Sequence, residues 1–184
     1  MVHPVTLRLA TASDAAAIRT VAEAAWWKTY PGILSDDAIE EALESHYADA
    51  SIAGALDEGQ QWVLAEQDGA LLGFCATEFF ADKHLMFVHK LYVDPNKQGT
   101  GSGKALMQHV MTLQPGARAV QLLVNRANHK AQAFYLRQGL RMRQSVTVIA
   151  SEDFIKEDFL MERLLPGHVE VRTEAQAPTT DDIL

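Results

Sequence analysis

The sequence predicts a mixed α/β single domain, and three observations carry that reading. Apolar runs with alternating spacing and runs with 3–4 spacing follow one another along the chain. Asp68-Gly69, a strong tight-turn dipeptide, joins two long apolar runs as a hairpin. Gly99, Gly101 and Gly103 sit within five residues, between a β-rich run and a helix-like run. At 184 residues the chain can bury one core and is short for two.

The elements follow in order. "TLRLA" (Thr6–Ala10) alternates as a short strand, and "TASD" offers a helix N-cap before the Ala-rich "AAAIRTVAEAAWW". Pro31-Gly32 interrupts the chain, and "LSDDAIEEALESHY" reads as a second helix with acids in its first turn. "QWVLAEQ" and "ALLGFCATEFF" are the hairpin strands. "LMFVHKLYV" (Leu85–Val93) is a third β run, ended by Asp94-Pro95, and "GKALMQHVMTLQ" is a helix closed by Pro115-Gly116. "AVQLLVN" is uninterrupted, as expected of a strand covered on both faces. "NHKAQAFYLRQG" is a helix with Asn128 at its N-cap and Gly139 at its stop. "RMRQSVTVIA" and "EDFLMERLL" close the domain, giving the order β-α-α-β-β-β-α-β-α-β-β over residues 1–165. Residues 166–184 hold few large apolar residues and one arginine against four acids, and read as a flexible C-terminal tail.

The glycines pose the functional question. A Walker A loop requires G-x-x-x-x-G-K-[ST], but Gly103-Lys104 is followed by Ala105, and Gln98 stands where the first glycine belongs. The magnesium-binding hydroxyl is missing. A dinucleotide fingerprint requires G-x-G-x-x-G in the first βαβ unit, and the spacing here is G-x-G-x-G deep in the chain. What fits is [QR]-x-x-G-x-[GA], spelled Gln98, Gly99, Thr100, Gly101, Ser102, Gly103 and opening a helix. Helix starts offer about four unpaired N–H groups and a partial positive charge, which together suit a pyrophosphate.

This loop, preceded by "LYVDP", resembles the acetyl-CoA loop of the GCN5-related N-acetyltransferase (GNAT) superfamily. A second signature matches at Asn128, Ala131, Phe134-Tyr135 and Gly139-Leu140, and "LRLATASDAAAI" is similar to the family's first strand and helix. The resemblance covers roughly residues 5 to 165. It implies a mixed, mostly antiparallel sheet with splayed central strands flanked by helices. "HKLYVDP", "FYLRQGL" and "IASEDFIKEDFLMERLL" are most similar to bacterial polyamine-acetylating members.

The resemblance also implies roles. Acetyl-CoA is the expected cosubstrate, with its phosphates at Gln98, Gly99, Thr100, Gly101, Ser102, Gly103 and Lys104, and with Asn128 and Tyr135 in the cofactor site. The backbone of Leu91, Tyr92 and Val93 would pair with the pantetheine arm, and an N–H near Tyr92–Val93 would face the thioester carbonyl. Acetyl transfer to an amine needs a base, since an alkyl ammonium with a pKa of about 10 is not nucleophilic. It also needs an acid for the departing thiolate, and Tyr135 matches the family's tyrosine. One of the adjacent Phe134-Tyr135 pair is expected in the core and the other in the cleft. His89 and Glu78 are the candidate bases, and a water chain is the alternative. Trp26, Trp27 and Tyr30 fall where the family builds its acceptor pocket. They would hold an ammonium by cation–π contact, or else simply fill the core.

The net charge of −8 argues against nonspecific nucleic-acid binding and is compatible with a cationic acceptor. No apolar run approaches the roughly 20 residues of a membrane span. The single Cys75 cannot form an internal disulfide, so a cytoplasmic location is expected, and the seven histidines show no metal-ligand spacing. The expected partner is therefore a small-molecule amine, with no nucleic acid, membrane or metal. The resemblance is compatible with a homodimer. Acetylation of a protein N-terminus or lysine, and a non-catalytic acetyl-CoA sensor, are the alternative functions.

Overall fold

A computed structural model describes residues 3–151 and 154–166, with side chains omitted at 148–156. Except for Pro166, the expected tail at 166–184 lies outside the described residues. The elements run β1 (Thr6–Leu9), α1 (Ala15–Thr29), α2 (Asp36–Tyr47), α3 (Asp49–Asp57), β2 (Gln61–Gln67), β3 (Ala70–Phe80), β4 (Leu85–Val93), α4 (Ser102–Leu113), β5 (Ala119–Asn125), α5 (His129–Arg137), β6 (Arg141–Ser151) and β7 (Phe154–Leu164). Seven strands form a mixed sheet in the order β1-β2-β3-β4-β5-β7-β6. The contacts divide into two compact units. One runs to Glu78 and adds Lys90–Leu113; the other is Phe79–His89 with the chain from Gln114 on.

In the first unit, β1 and β3 flank β2 in antiparallel ladders. The hairpin turn has positive φ at both Asp68 (52°) and Gly69 (75°), the two-residue geometry that matches strand twist. Thr11 begins a short 3-10 turn before α1, its N–H donating to Asp14 Oδ2 at 2.8 Å. Arg8 on β1 clamps the same carboxylate with both Nη groups and also reaches Glu66 on β2. This guanidinium holds the Asp14 carboxyl well below the usual carboxylate range. Ile18, Val21, Ala22 and Trp26 of α1 share a core with Ile39, Leu43 and Tyr47 of α2, Ile52 of α3, and Trp62, Leu64, Phe74 and Ala76 of the hairpin.

The helix α3 departs from the sequence reading, which has two helices before the hairpin rather than three. Ala48 stands extended (ψ 148°) between α2 and α3, ending one and starting the other. Only Ile52 of α3 is buried, and Gly54 lowers its helix propensity, so the nine residues carry almost no apolar period.

In the second unit, β4 pairs in parallel with β5 through four residues, Leu85↔Ala119 to Val88↔Leu122. β5 then pairs antiparallel with β7, and β7 with β6. β7 starts at Phe154, earlier than its apolar stretch suggested. Within this unit Arg163 closes over Gly139, its Nη1 donating to the Gln138 carbonyl at 2.6 Å. Gly139 has φ 86°, as its position at the end of α5 demands.

Candidate active site

The first unit holds the glycine loop. Asp94 ends β4 and accepts from the Asn96 N–H at 2.8 Å, turning the chain through Pro95–Lys97 into Gln98. Gly99 (φ 85°) and Gly101 (φ 87°) stand in the left-handed region, where side-chain-bearing residues are strained. A β-carbon on either would meet nothing of the protein within 4 Å. Thr100 donates to the Lys97 carbonyl at 2.9 Å, and its Oγ1 lies 3.1 Å from Ser102 Oγ. Ser102 is buried while Gln98, Gly99, Thr100, Gly101 and Lys104 are exposed. The first bond of α4 runs from the Ala105 N–H to the Gly101 carbonyl, so the N–H groups of its first turn lie at this exposed loop. Gly103 is part of α4 and lacks a positive φ, so two of the three glycines are required by backbone conformation.

The end of β4 belongs to the same unit and is held by β3. The Asp94 N–H donates to the Leu72 carbonyl at 2.8 Å. Gly73 has an ordinary φ, yet a β-carbon on it would lie 2.5 Å from the Tyr92 carbonyl oxygen and 3.0 Å from Val93 Cα. Tyr92 packs its ring 5.7 Å from Phe74, 6.2 Å from Tyr47 and 6.4 Å from Trp26. Lys90, two residues earlier, places its Nζ 5.4 Å from the Trp62 ring centroid and 5.8 Å from that of Tyr47. Burial pushes the Tyr47 hydroxyl's pKa upward, offset in part by hydrogen bonding with Tyr92 and by Trp26. Trp26 Nε1 lies beside that hydroxyl without the geometry of a full hydrogen bond.

The predicted acceptor aromatics separate. Trp26 is a core residue, with Tyr30 tilted against it at 4.5 Å. Trp27, on the other side of α1, is 40% exposed. Glu78 lies half-buried toward the end of β3, on the strand face that carries Phe74 and Ala76. Sequence reasoning missed Gly73, Tyr47 and Lys90 here. Each is defined by what it touches across the fold, and nothing local marks it.

The second unit holds the remaining candidates. His89 is half-buried, its ring 5.0 Å from Phe87 in an edge-on arrangement. Asn128 caps α5, its Oδ1 accepting from the Ala131 N–H at 3.0 Å. Tyr135 is 7% exposed and lies 5.2 Å from Phe134, so the tyrosine is the more buried of that pair. Among the described residues no group of three or more His, Cys, Asp or Glu is placed to hold a metal ion, and no helix is long and apolar enough to cross a membrane.

Two positive-φ glycines thus lie between β4 and the first turn of α4 and leave its N–H groups at an exposed loop. The acetyltransferase (GNAT) family model matches residues 21–140, and the chain belongs to that family of N-acetyltransferases. It is 29% identical over 133 residues to an uncharacterised N-acetyltransferase of Mycobacterium tuberculosis, covering 71% of this chain and 85% of that one. It is 25% identical over 164 residues to the spermidine N(1)-acetyltransferase of Thermoplasma acidophilum, covering 85% and 95%. The fold is similar to that of the PaiA N-acetyltransferase of Thermoplasma acidophilum, solved with coenzyme A, with TM-score 0.76 and 22% identity over 88% of this chain and 99% of that one.

Proposed function

We propose that the protein transfers the acetyl group of acetyl-CoA to the primary amine of a small molecule, polyamines included, by direct attack. The observation that carries this is the exposed loop at Gly99 and Gly101, with room beyond both α-carbons and the first turn of α4 beside it. Those features fit a pyrophosphate, and Lys104, exposed in the same turn, adds charge. The likeness to a spermidine acetyltransferase along 85% of this chain supports a small amine as acceptor. One cysteine in the whole sequence suits the cytoplasm, where we place the reaction.

Acetyl-CoA supplies an activated thioester; the chain supplies position and proton transfer. The β4 backbone from Leu91 to Val93 would hold the pantetheine arm. As the amine nitrogen bonds to the acetyl carbon and the carbon–sulfur bond breaks, the Tyr135 hydroxyl would give its proton to the sulfur. The acceptor's own proton would leave to His89 or Glu78, directly or through water.

A free-thiol release assay against polyamines, aminoglycosides, amino acids and short peptides tests this. Turnover of free amines, with Tyr135→Phe losing most of kcat and little affinity for coenzyme A, is expected. Turnover of peptides alone would move the acceptor to protein, and coenzyme A uptake without any turnover would make the chain a sensor.

A further inference from the structure

We infer that Lys90 is a specificity-determining residue. Its ammonium fills the cation position on the aromatic cluster of the first unit, so the acceptors served best carry one ammonium and not two. The inference rests on the acetyl-CoA reading and deepens it by naming the class of amine. Simple alkylamines rank above diamines and polyamines.

The placement of Lys90 follows from the strands. Lys90 and Tyr92 stand two residues apart on β4 and so share a strand face. Both side chains lie against Tyr47 of α2, Tyr92 by its ring and Lys90 by its ammonium. Lys90 also reaches Trp62 on β2, across the intervening strand β3. The residue of β3 opposite Trp62 is Ala76, whose single methyl group leaves a long side chain room to pass over. The two rings that Lys90 meets belong to residues each 1% exposed, whereas Lys90 itself is half-buried.

An ammonium within about 6 Å of two desolvated aromatic rings is the arrangement by which proteins hold alkylammonium ligands. Here the chain's own side chain takes that position, at 5.4 Å and 5.8 Å from the two centroids. The same cluster includes Trp26 and Tyr30, which the family resemblance assigns to the acceptor. Lys90 also adjoins Leu91, where the proposed hold on the pantetheine arm begins. A second ammonium on the acceptor must therefore displace Lys90 or stay off the rings. The net charge of −8 acts the other way and draws a diamine more strongly than a monoamine. Exposed charges beyond about 8 Å are largely screened at physiological ionic strength, while Lys90 acts by contact. The local effect sets the ranking.

The test compares an unbranched alkylamine with the α,ω-diamine of the same chain length, by steady-state kinetics on wild type, Lys90→Ala and Lys90→Arg. Calorimetric titration with coenzyme A accompanies it. Wild type is expected to show a severalfold higher kcat/KM for the monoamine. Lys90→Ala vacates the rings and is expected to raise the diamine-to-monoamine ratio of kcat/KM about tenfold, mainly through the diamine's KM. Lys90→Arg keeps a cation on the rings and is expected to keep the wild-type ranking. A wild-type preference for the diamine overturns the inference, as does an unchanged ratio in folded Lys90→Ala. If that variant does not fold, Lys90→Gln decides by the same ratio. Coenzyme A uptake with turnover of neither amine also overturns the inference. A wild-type protein that takes up no coenzyme A overturns the acetyl-CoA reading itself, a result the titration separates from a failed ranking.

Discussion

Two glycines with opposite reasons for being glycine stand about thirty residues apart. Gly101 is needed for its backbone, at φ 87°, and faces open space; Gly73 has an ordinary backbone and faces the Tyr92 carbonyl. Alanine at Gly101 brings strain of about 1–2 kcal/mol and no collision with the protein. Strain alone would lower stability. A β-carbon projecting into the space read as the pyrophosphate's would in addition obstruct the ligand. Gly101→Ala is accordingly expected to melt a few degrees lower and to bind coenzyme A at least tenfold more weakly, measured by titration of folded protein. Unchanged affinity would show that the open space beside the loop goes unused. The glycine density was legible because positive-φ demands recur locally in a loop. The demand at Gly73 was not, because it comes from a residue nineteen positions away.

At the scale of elements, the helix starts show how one residue can suit two readings. Ser35 accepts from the Ala38 N–H at 3.2 Å and Asn128 from the Ala131 N–H at 3.0 Å, each through its side chain. The family resemblance assigns Asn128 to the cofactor, whereas its geometry here is that of an N-cap. Removing such a cap costs about 1 kcal/mol, or roughly 2–4 °C in a chain of this size. Asn128→Ala should lose that much in thermal unfolding, and Asn128→Asp, which keeps the accepting oxygen, should recover most of it. A variant with unchanged melting and weakened coenzyme A binding would give Asn128 to the ligand instead. Elements with a sharp boundary were legible: the Asp68-Gly69 turn, β4 ending at Asp94-Pro95, and β5 as a short run of mostly apolar residues interrupted by Gln121. The helix α3 was not, since a single buried residue, Ile52, leaves no period to read. The glycine loop was visible for the same reason as β4, while the aromatic cluster around Tyr92 exists only once α1, α2 and β3 have come together.

For the whole molecule, Cys75 offers a reporter of cooperative opening. It is fully buried on β3, opposite Val63 of β2, with β3 an interior strand of the sheet. Burial pushes its thiol up to about 12. Alkylation requires the thiolate, so at pH 8 only about one molecule in ten thousand would carry the reactive form even if reagent reached it. Exclusion and protonation act together, and both end when the strand separates from its neighbours. Native protein is expected to take up no iodoacetamide over hours, and unfolded protein to take up one equivalent. In intermediate urea the labelling rate should rise with the same slope as equilibrium unfolding, since the surface exposed on opening is that of global unfolding. A labelling rate insensitive to urea would mean that β3 opens locally.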